Sequence, residues 1–239
     1  MNTPAPGTLF LIPVNLSDPC APAAILPQEV IDTALRLEYY IAENAKTARA
    51  FLKSLGIDRP LKELSIRELN ERTRQEELAE MLKPLLAGND VGLVSEAGAP
   101  GVADPGATVV ALAHDHHINV MPLVGPSSLL LGLMASGLNG QKFAFHGYLP
   151  QDKLARIEVI RELERESCTR NMTQIFIETP YRNGALLADL IATLSAATRL
   201  CVACDLTGTG QTIIQQSVAK WRKAPVYARK LPTLFLLLA

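Results

Sequence analysis

Short apolar runs that alternate with segments of helical period constrain this chain more than any other feature. Thr8–Val14 (TLFLIPV), Val91–Ser95 and Asn119–Leu123 read as buried strands. Between them, Gln28–Leu37, Ala45–Leu55, Thr73–Leu86 and Pro105–His114 carry apolar residues at helical spacing, while Arg36–Ile41 reads either as a helix end or as a strand. Pro84 marks a kink or an early end in the third of these helices. Parallel strands need long crossovers, and helices between strands supply them. The alternation therefore calls for an α/β fold with a parallel sheet.

An apolar helix is expected over Ser127–Ser136, and the texture changes at Phe143–Pro150 (FAFHGYLP), a strand that runs into Gly and Pro. A charged helix (Lys153–Glu166), a strand (Thr173–Glu178), a helix (Asn183–Leu194), a strand (Arg199–Asp205), a segment Thr212–Trp221 and a last strand (Thr233–Leu238) follow. This reads as a second α/β unit with its own sheet. The expected division is an N-terminal α/β domain, 1–142, with a glycine-rich loop, and a C-terminal α/β domain, 143–239. A length of 239 residues accommodates two domains. Hydrophobic residues at 48% supply a core, which argues against disorder. A formal net charge of −1 excludes a polycation that grips nucleic acid by bulk charge, and 5% aromatics argue against a base-stacking surface. No apolar run has the length of a membrane span and no secretory signal is evident, so no membrane association and a cytoplasmic location are expected.

The densest punctuation is Ser95–Gly106 (SEAGAPGVADPG), with three Gly and two Pro between a strand and a helix. An ordinary turn there needs only about two to six residues. A longer glycine loop at the carboxyl edge of an α/β sheet is where ligands bind. It lacks G-x-x-x-x-G-K-[ST] and G-x-G-x-x-G, so neither a triphosphate loop nor a dinucleotide fingerprint is present. A second candidate is Leu123–Leu129 (LVGPSSL), where Gly-Pro turns and Ser127 or Ser128 opens a helix whose free N–H groups attract anions.

Taken in order, SEAGAPGVADPG, PLVGPSSLLLGLMASGL, FAFHGYLP and IFIETPYR resemble the tetrapyrrole methylase superfamily, and within it the bacterial ribosomal RNA small subunit methyltransferase branch. The resemblance runs from about Thr8 to Leu238. It implies a two-domain fold with S-adenosylmethionine (SAM) in the cleft between the domains, a homodimer, and ribosomal RNA or the small ribosomal subunit as partner. It assigns SAM contacts to Gly98, Ala99, Pro100 and Val102, to the element around Ser127, Ser128 and Leu129, and to Ile177, Ala203 and Thr233. Pro13 is implied to lie near the sulfonium. The implied chemistry is in-line methyl transfer to a ribose 2′-hydroxyl, which also needs a general base. Glu96, beside the glycine loop, is the preferred base, ahead of Glu178 and Asp18. Two alternatives stand beside this: a SAM-dependent methylase of a tetrapyrrole or other small molecule, and a SAM-binding protein without turnover.

The chain departs from the family pattern at several places. The first loop, Pro13-Val14-Asn15-Leu16-Ser17-Asp18, is one Gly short; Leu69 stands where the family has His; Cys204-Asp205-Leu206-Thr207-Gly208 lacks two cations. Cys201-x-x-Cys204 lies in a strand, where residues three apart face opposite ways, and His114, His116 and His117 read as a polar helix end, so no metal site is expected. The charged run Glu63–Glu80 reads as a solvated helix face, with Arg67, Arg72 and Arg74 as the best local basic cluster.

Overall fold

The structure, a computed structural model, describes residues 5–17, 21–223 and 229–239. The chain forms two compact units, Met1–Pro126 and Ser127–Ala239.

In the first unit, strands β1 (Thr8–Ile12), β2 (Tyr39–Ala42), β3 (Ser65–Glu68), β4 (Val91–Val94) and β5 (Asn119–Pro122) form one parallel sheet in the order β3-β2-β4-β1-β5. Helices α1 (Gln28–Arg36), α2 (Ala45–Ser54), α3 (Gln75–Leu86) and α4 (Gly106–Asp115) make the crossovers. The connections after β1 and β2 step toward the β3 edge, and those after β3 and β4 step back. Right-handed crossovers in opposite directions put their helices on opposite faces. Two separate cores record this. Val30, Ile31 and Ala34 of α1 and Ala48 and Leu52 of α2 pack with Ile12 and Tyr40. Leu78, Met81, Leu82 and Leu85 of α3 and Val109 and Ala113 of α4 pack with Leu9, Ile41 and Leu93. Strand alternation divides each strand between the two.

The ambiguous stretch Arg36–Ile41 ends α1 and begins β2. Buried Tyr40 joins them: its hydroxyl donates to the carbonyls of Ala34 and Leu37, which lie where helix carbonyls lose their own partners. Burial pushes this phenol up to about 12. The charged run Glu63–Glu80 is corrected: it is not one helix face but β3, a turn, and the first half of α3. β3 is an exposed edge strand with charged side chains, a device that blocks edge-to-edge pairing and hides the strand from a hydrophobic reading. Pro84 neither ends α3 nor lies deep inside it. It stands in the last turn, two residues before the end at Leu86.

In the second unit, α5 (Ser128–Ser136), β6 (Phe143–Tyr148), α6 (Lys153–Arg170), β7 (Thr173–Glu178), α7 (Asn183–Thr193), β8 (Arg199–Cys204), β9 (Thr212–Ser217), α8 (Val218–Trp221) and β10 (Thr233–Leu238) follow in sequence. The sheet order is β6-β7-β10-β8-β9, with β6 parallel to β7 and the other pairings antiparallel. On one face Phe176 and Phe235 stack at 6.0 Å and pack under Ile160 and Leu163 of α6 and Leu186 and Leu190 of α7. The other face carries α5, whose Gly132 lies so close to β10 that an added Cβ would come within 2.3 Å of Leu234 Cδ2. That packing is why α5 belongs to the second unit. The compact units divide after Pro126, whereas the sequence reading divides the chain after residue 142.

An ion pair ties α6 to α7. Arg156 Nε and Nη2 donate to Asp189 Oδ2 at 2.9 and 2.5 Å, and Nη1 donates to the carbonyls of Pro150 and Gln151. The two side chains are only 8% and 11% exposed. Breaking one half of such a pair strands a buried charge, which costs about 3–5 kcal/mol, whereas replacing both halves by apolar groups costs far less. Arg156→Met is therefore expected to lower the unfolding free energy by about that amount in urea titrations, and Arg156→Met with Asp189→Leu to recover part of it.

Candidate functional site

The reversal of crossover direction fixes where a ligand can enter the first unit. β2 and β4 are neighbours, with Ala42 opposite Val94, yet the chain leaves β2 toward one face and β4 toward the other. Such a divergence opens a crevice at the carboxyl ends of the strands. The glycine loop lies there, and one carboxylate organises it. Asp104 accepts from the Gly101 N–H at 2.9 and 3.0 Å and from the Gly106 N–H at 2.8 Å. Ala103 is thereby held at φ +61°, a left-handed conformation that non-glycine residues rarely adopt. Burial pushes the half-buried Asp104 carboxyl above its ordinary value, and the two amide bonds only partly offset this.

Three segments singled out in the sequence meet at this edge. Val14 donates to the Gly98 carbonyl at 2.9 Å, so the end of the first strand pairs with the glycine loop. Gly98 has φ +72°, and an added Cβ would meet Leu16 Cδ2 at 2.9 Å and the Pro126 carbonyl at 3.4 Å. Gly125 touches Pro13 so closely that a Cβ there would come within 2.2 Å of the proline ring. Pro13, Gly98 and Gly125 are thus brought together. Val102 stands out from the loop, 47% exposed.

Beside the loop lies a cavity of about 720 Å³, lined by Glu43, Asn70, Glu71, Arg72 and Ala103–Pro105. These residues follow β2, β3 and β4 in turn. The preferred base, Glu96, is not among the lining residues. Its Oε1 accepts from the Thr47 hydroxyl at 2.5 Å. Its carboxylate lies near that of Glu43 and raises it. Glu43 and Asp104 were not singled out in the sequence. The signal for Glu43 was its position directly after a strand, invisible while β2 was ambiguous. Of the basic cluster, Arg72 lines the cavity and Arg74 pairs with Glu77 at 3.1 Å.

In the second unit, Ile177 and Ala203 both lie opposite Leu234 on neighbouring strands, so they share the face that carries α5. Thr233 points to the other face, where its hydroxyl donates to the Leu231 carbonyl and accepts from Asn183. Ser127 stands at the N-cap of α5 without a side-chain capping bond; Ser128 and Leu129 open the helix. Glu178 is corrected as a candidate base: its side chain is 1% exposed and its Oε1 already accepts from Arg182 Nε and Nη2 and from the Thr179 N–H. Asp18 lies outside the described residues. Burial pushes the Cys201 thiol up to about 12, far from a thiolate ligand. Among the described residues no cluster of His, Cys, Asp and Glu has the makings of a metal site, and no helix is long and apolar enough to cross a membrane.

Comparison with known proteins places the chain in a family. A family model, Tetrapyrrole (Corrin/Porphyrin) Methylases, matches residues 28–221. A protein of Xylella fastidiosa named ribosomal RNA small subunit methyltransferase I is 35% identical over 218 residues, covering 90% of this chain and 74% of that protein. The Synechocystis protein of the same name is 32% identical over 219 residues, covering 87% and 73%. Among solved structures, uroporphyrin III C-methyltransferase from Thermus thermophilus superposes with a TM-score of 0.58 over 97% of each chain at 15% identity, a likeness of fold. The chain belongs to the tetrapyrrole methylase family, and is a methyltransferase.

The raised Asp104 carboxyl has a consequence for stability. A raised folded-state value means that the fold favours the protonated form. Asp104 therefore contributes more to stability as pH falls through its raised value toward the ordinary 3.8. Asn cannot titrate. The stability of the parent relative to Asp104→Asn is expected to rise between pH 7 and pH 4, as read by urea unfolding at both.

Proposed function

We propose that this chain transfers the methyl group of SAM to a ribose 2′-hydroxyl of ribosomal RNA in the small subunit, acting in the cytoplasm as a homodimer. The observation that carries this reading is the likeness, at 32–35% identity over most of the chain, to proteins named ribosomal RNA small subunit methyltransferase I. SAM supplies a methyl carbon made electrophilic by its sulfonium.

The residues present fit such a donor. The loop side chains are small, Ala99 is half-buried, and space around Gly101 is unfilled within 4 Å of an added Cβ, which lets a ligand approach the backbone there. Val102 offers an exposed apolar contact beside them, and Pro13 an apolar wall against Gly125. Ser127, Ser128 and Leu129 present the uncapped first turn of α5, whose amides suit the carboxylate of a methionine moiety. From the second sheet the resemblance adds Ile177, Ala203 and Thr233. The chain's part in the reaction is to hold acceptor and donor in line and to exclude water, which supplies much of the acceleration in a bimolecular transfer.

Purified protein is expected to move label from methyl-labelled SAM into small-subunit RNA, recovered after digestion as a 2′-O-methyl nucleoside. Label in a tetrapyrrole or another small molecule would establish that acceptor instead. SAM binding with no transfer to either pool would make the chain a binder without turnover. Gly125→Ala, which drives a Cβ into Pro13, is expected to weaken SAM binding at least about tenfold in equilibrium dialysis, equivalent to about 1.4 kcal/mol.

A further inference from the structure

Methylation of a hydroxyl leaves a proton to be removed, and the cavity beside the glycine loop contains a group placed for it. Glu43 follows β2 at the crevice between β2 and β4 and lines the cavity with Asn70, Glu71 and Arg72. Its carboxylate lies close to the Glu96 backbone, and no ion pair among the described residues involves it. Glu96, by contrast, spends Oε1 on Thr47 and is not among the lining residues. A volume of about 720 Å³ lies in the range that holds a nucleoside-sized ligand.

We infer that this cavity seats the acceptor nucleoside and that Glu43, not Glu96, takes the proton from its hydroxyl. The acceptor oxygen forms a bond to the methyl carbon as the carbon–sulfur bond breaks, and that electron pair remains on sulfur. The hydroxyl proton passes to Glu43, which returns it to solvent. Asn70 supplies hydrogen bonds to the nucleoside, and Arg72 pairs with a phosphate. The charges facing Glu43 support the assignment. Burial, then the carboxylates of Asp104 and Glu96, raise its carboxyl above the ordinary value, and the Glu96 N–H lowers it in part. A carboxylate with a raised value is a stronger base, nearer the operating pH.

This inference rests on the hydroxyl-methylation reading above. The test uses the full chain, small ribosomal subunits and labelled SAM. Glu43→Gln is expected to bind SAM within twofold of the parent and to lose transfer by about 10²–10⁴-fold. Glu43→Asp, which keeps the carboxylate, is expected to recover at least about tenfold over Glu43→Gln, and Glu96→Gln to retain more than about a third of parental transfer. In the parent, kcat/KM should rise with pH through an inflection above the ordinary carboxylate range, and Glu43→Gln should lack it. Transfer by Glu43→Gln above a tenth of the parental rate would overturn the assignment while leaving the methylation reading intact; so would a Glu43→Asp variant no better than Glu43→Gln. A parent that binds SAM but labels no RNA would instead sink the methylation reading, and this inference with it.

Discussion

The pairing of β2 with β4 is the constraint on which the first unit depends. Neighbours in the sheet but not in sequence, they send their connections to opposite faces. That single reversal separates α1 and α2 from α3 and α4, divides the apolar residues into two cores, and opens a gap at the carboxyl ends. The glycine loop, Glu43 and Asn70–Arg72 line that gap because they follow the strands that border it.

The electrostatics of the gap follow from the same geometry. Glu43, Glu96 and Asp104 lie close enough for the charges of the last two to raise the first. Glu96 is bonded by a hydroxyl and Asp104 by backbone amides, rather than by cations. Such partners fix a carboxylate in place without neutralising it. Asp104 uses this to hold a loop containing a left-handed alanine, a strained conformation of the kind that persists where surrounding structure over-determines it.

Much of this was legible in the sequence, and the gaps have physical causes. Buried strands such as Val91–Val94 announce themselves because both faces are covered. The glycine loop announces itself because its backbone requires glycine at Gly98 and Gly101. β3 did not, because an edge strand is selected for charge. Glu43 did not, because one carboxylate after an unrecognised strand looks like any surface acid. Glu178 misled for the complementary reason: spacing cannot reveal that Arg182, four residues on across the turn into α7, occupies it. Pro13, Gly98 and Gly125, more than a hundred residues apart at the extremes, were found together because motif resemblance carries tertiary information that periodicity lacks.

The second sheet raises a question of order. β10 is drawn from residues 233–238 yet occupies the middle of the sheet, with every residue buried and with ladders to β7 on one side and β8 on the other. Until it inserts, β6–β7 and β8–β9 are two separate hairpin-sized ladders, each with an open edge where β10 belongs. Small ladders of that kind are marginal alone, and pairings this distant in sequence are slow to form. In the first unit the last strand, β5, only adds to an edge beside β1. On a ribosome that unit can close while the second is still being made. The second sheet behaves as a zip fastened by its last-made strand, with two exposed edges open to mispairing in the interval.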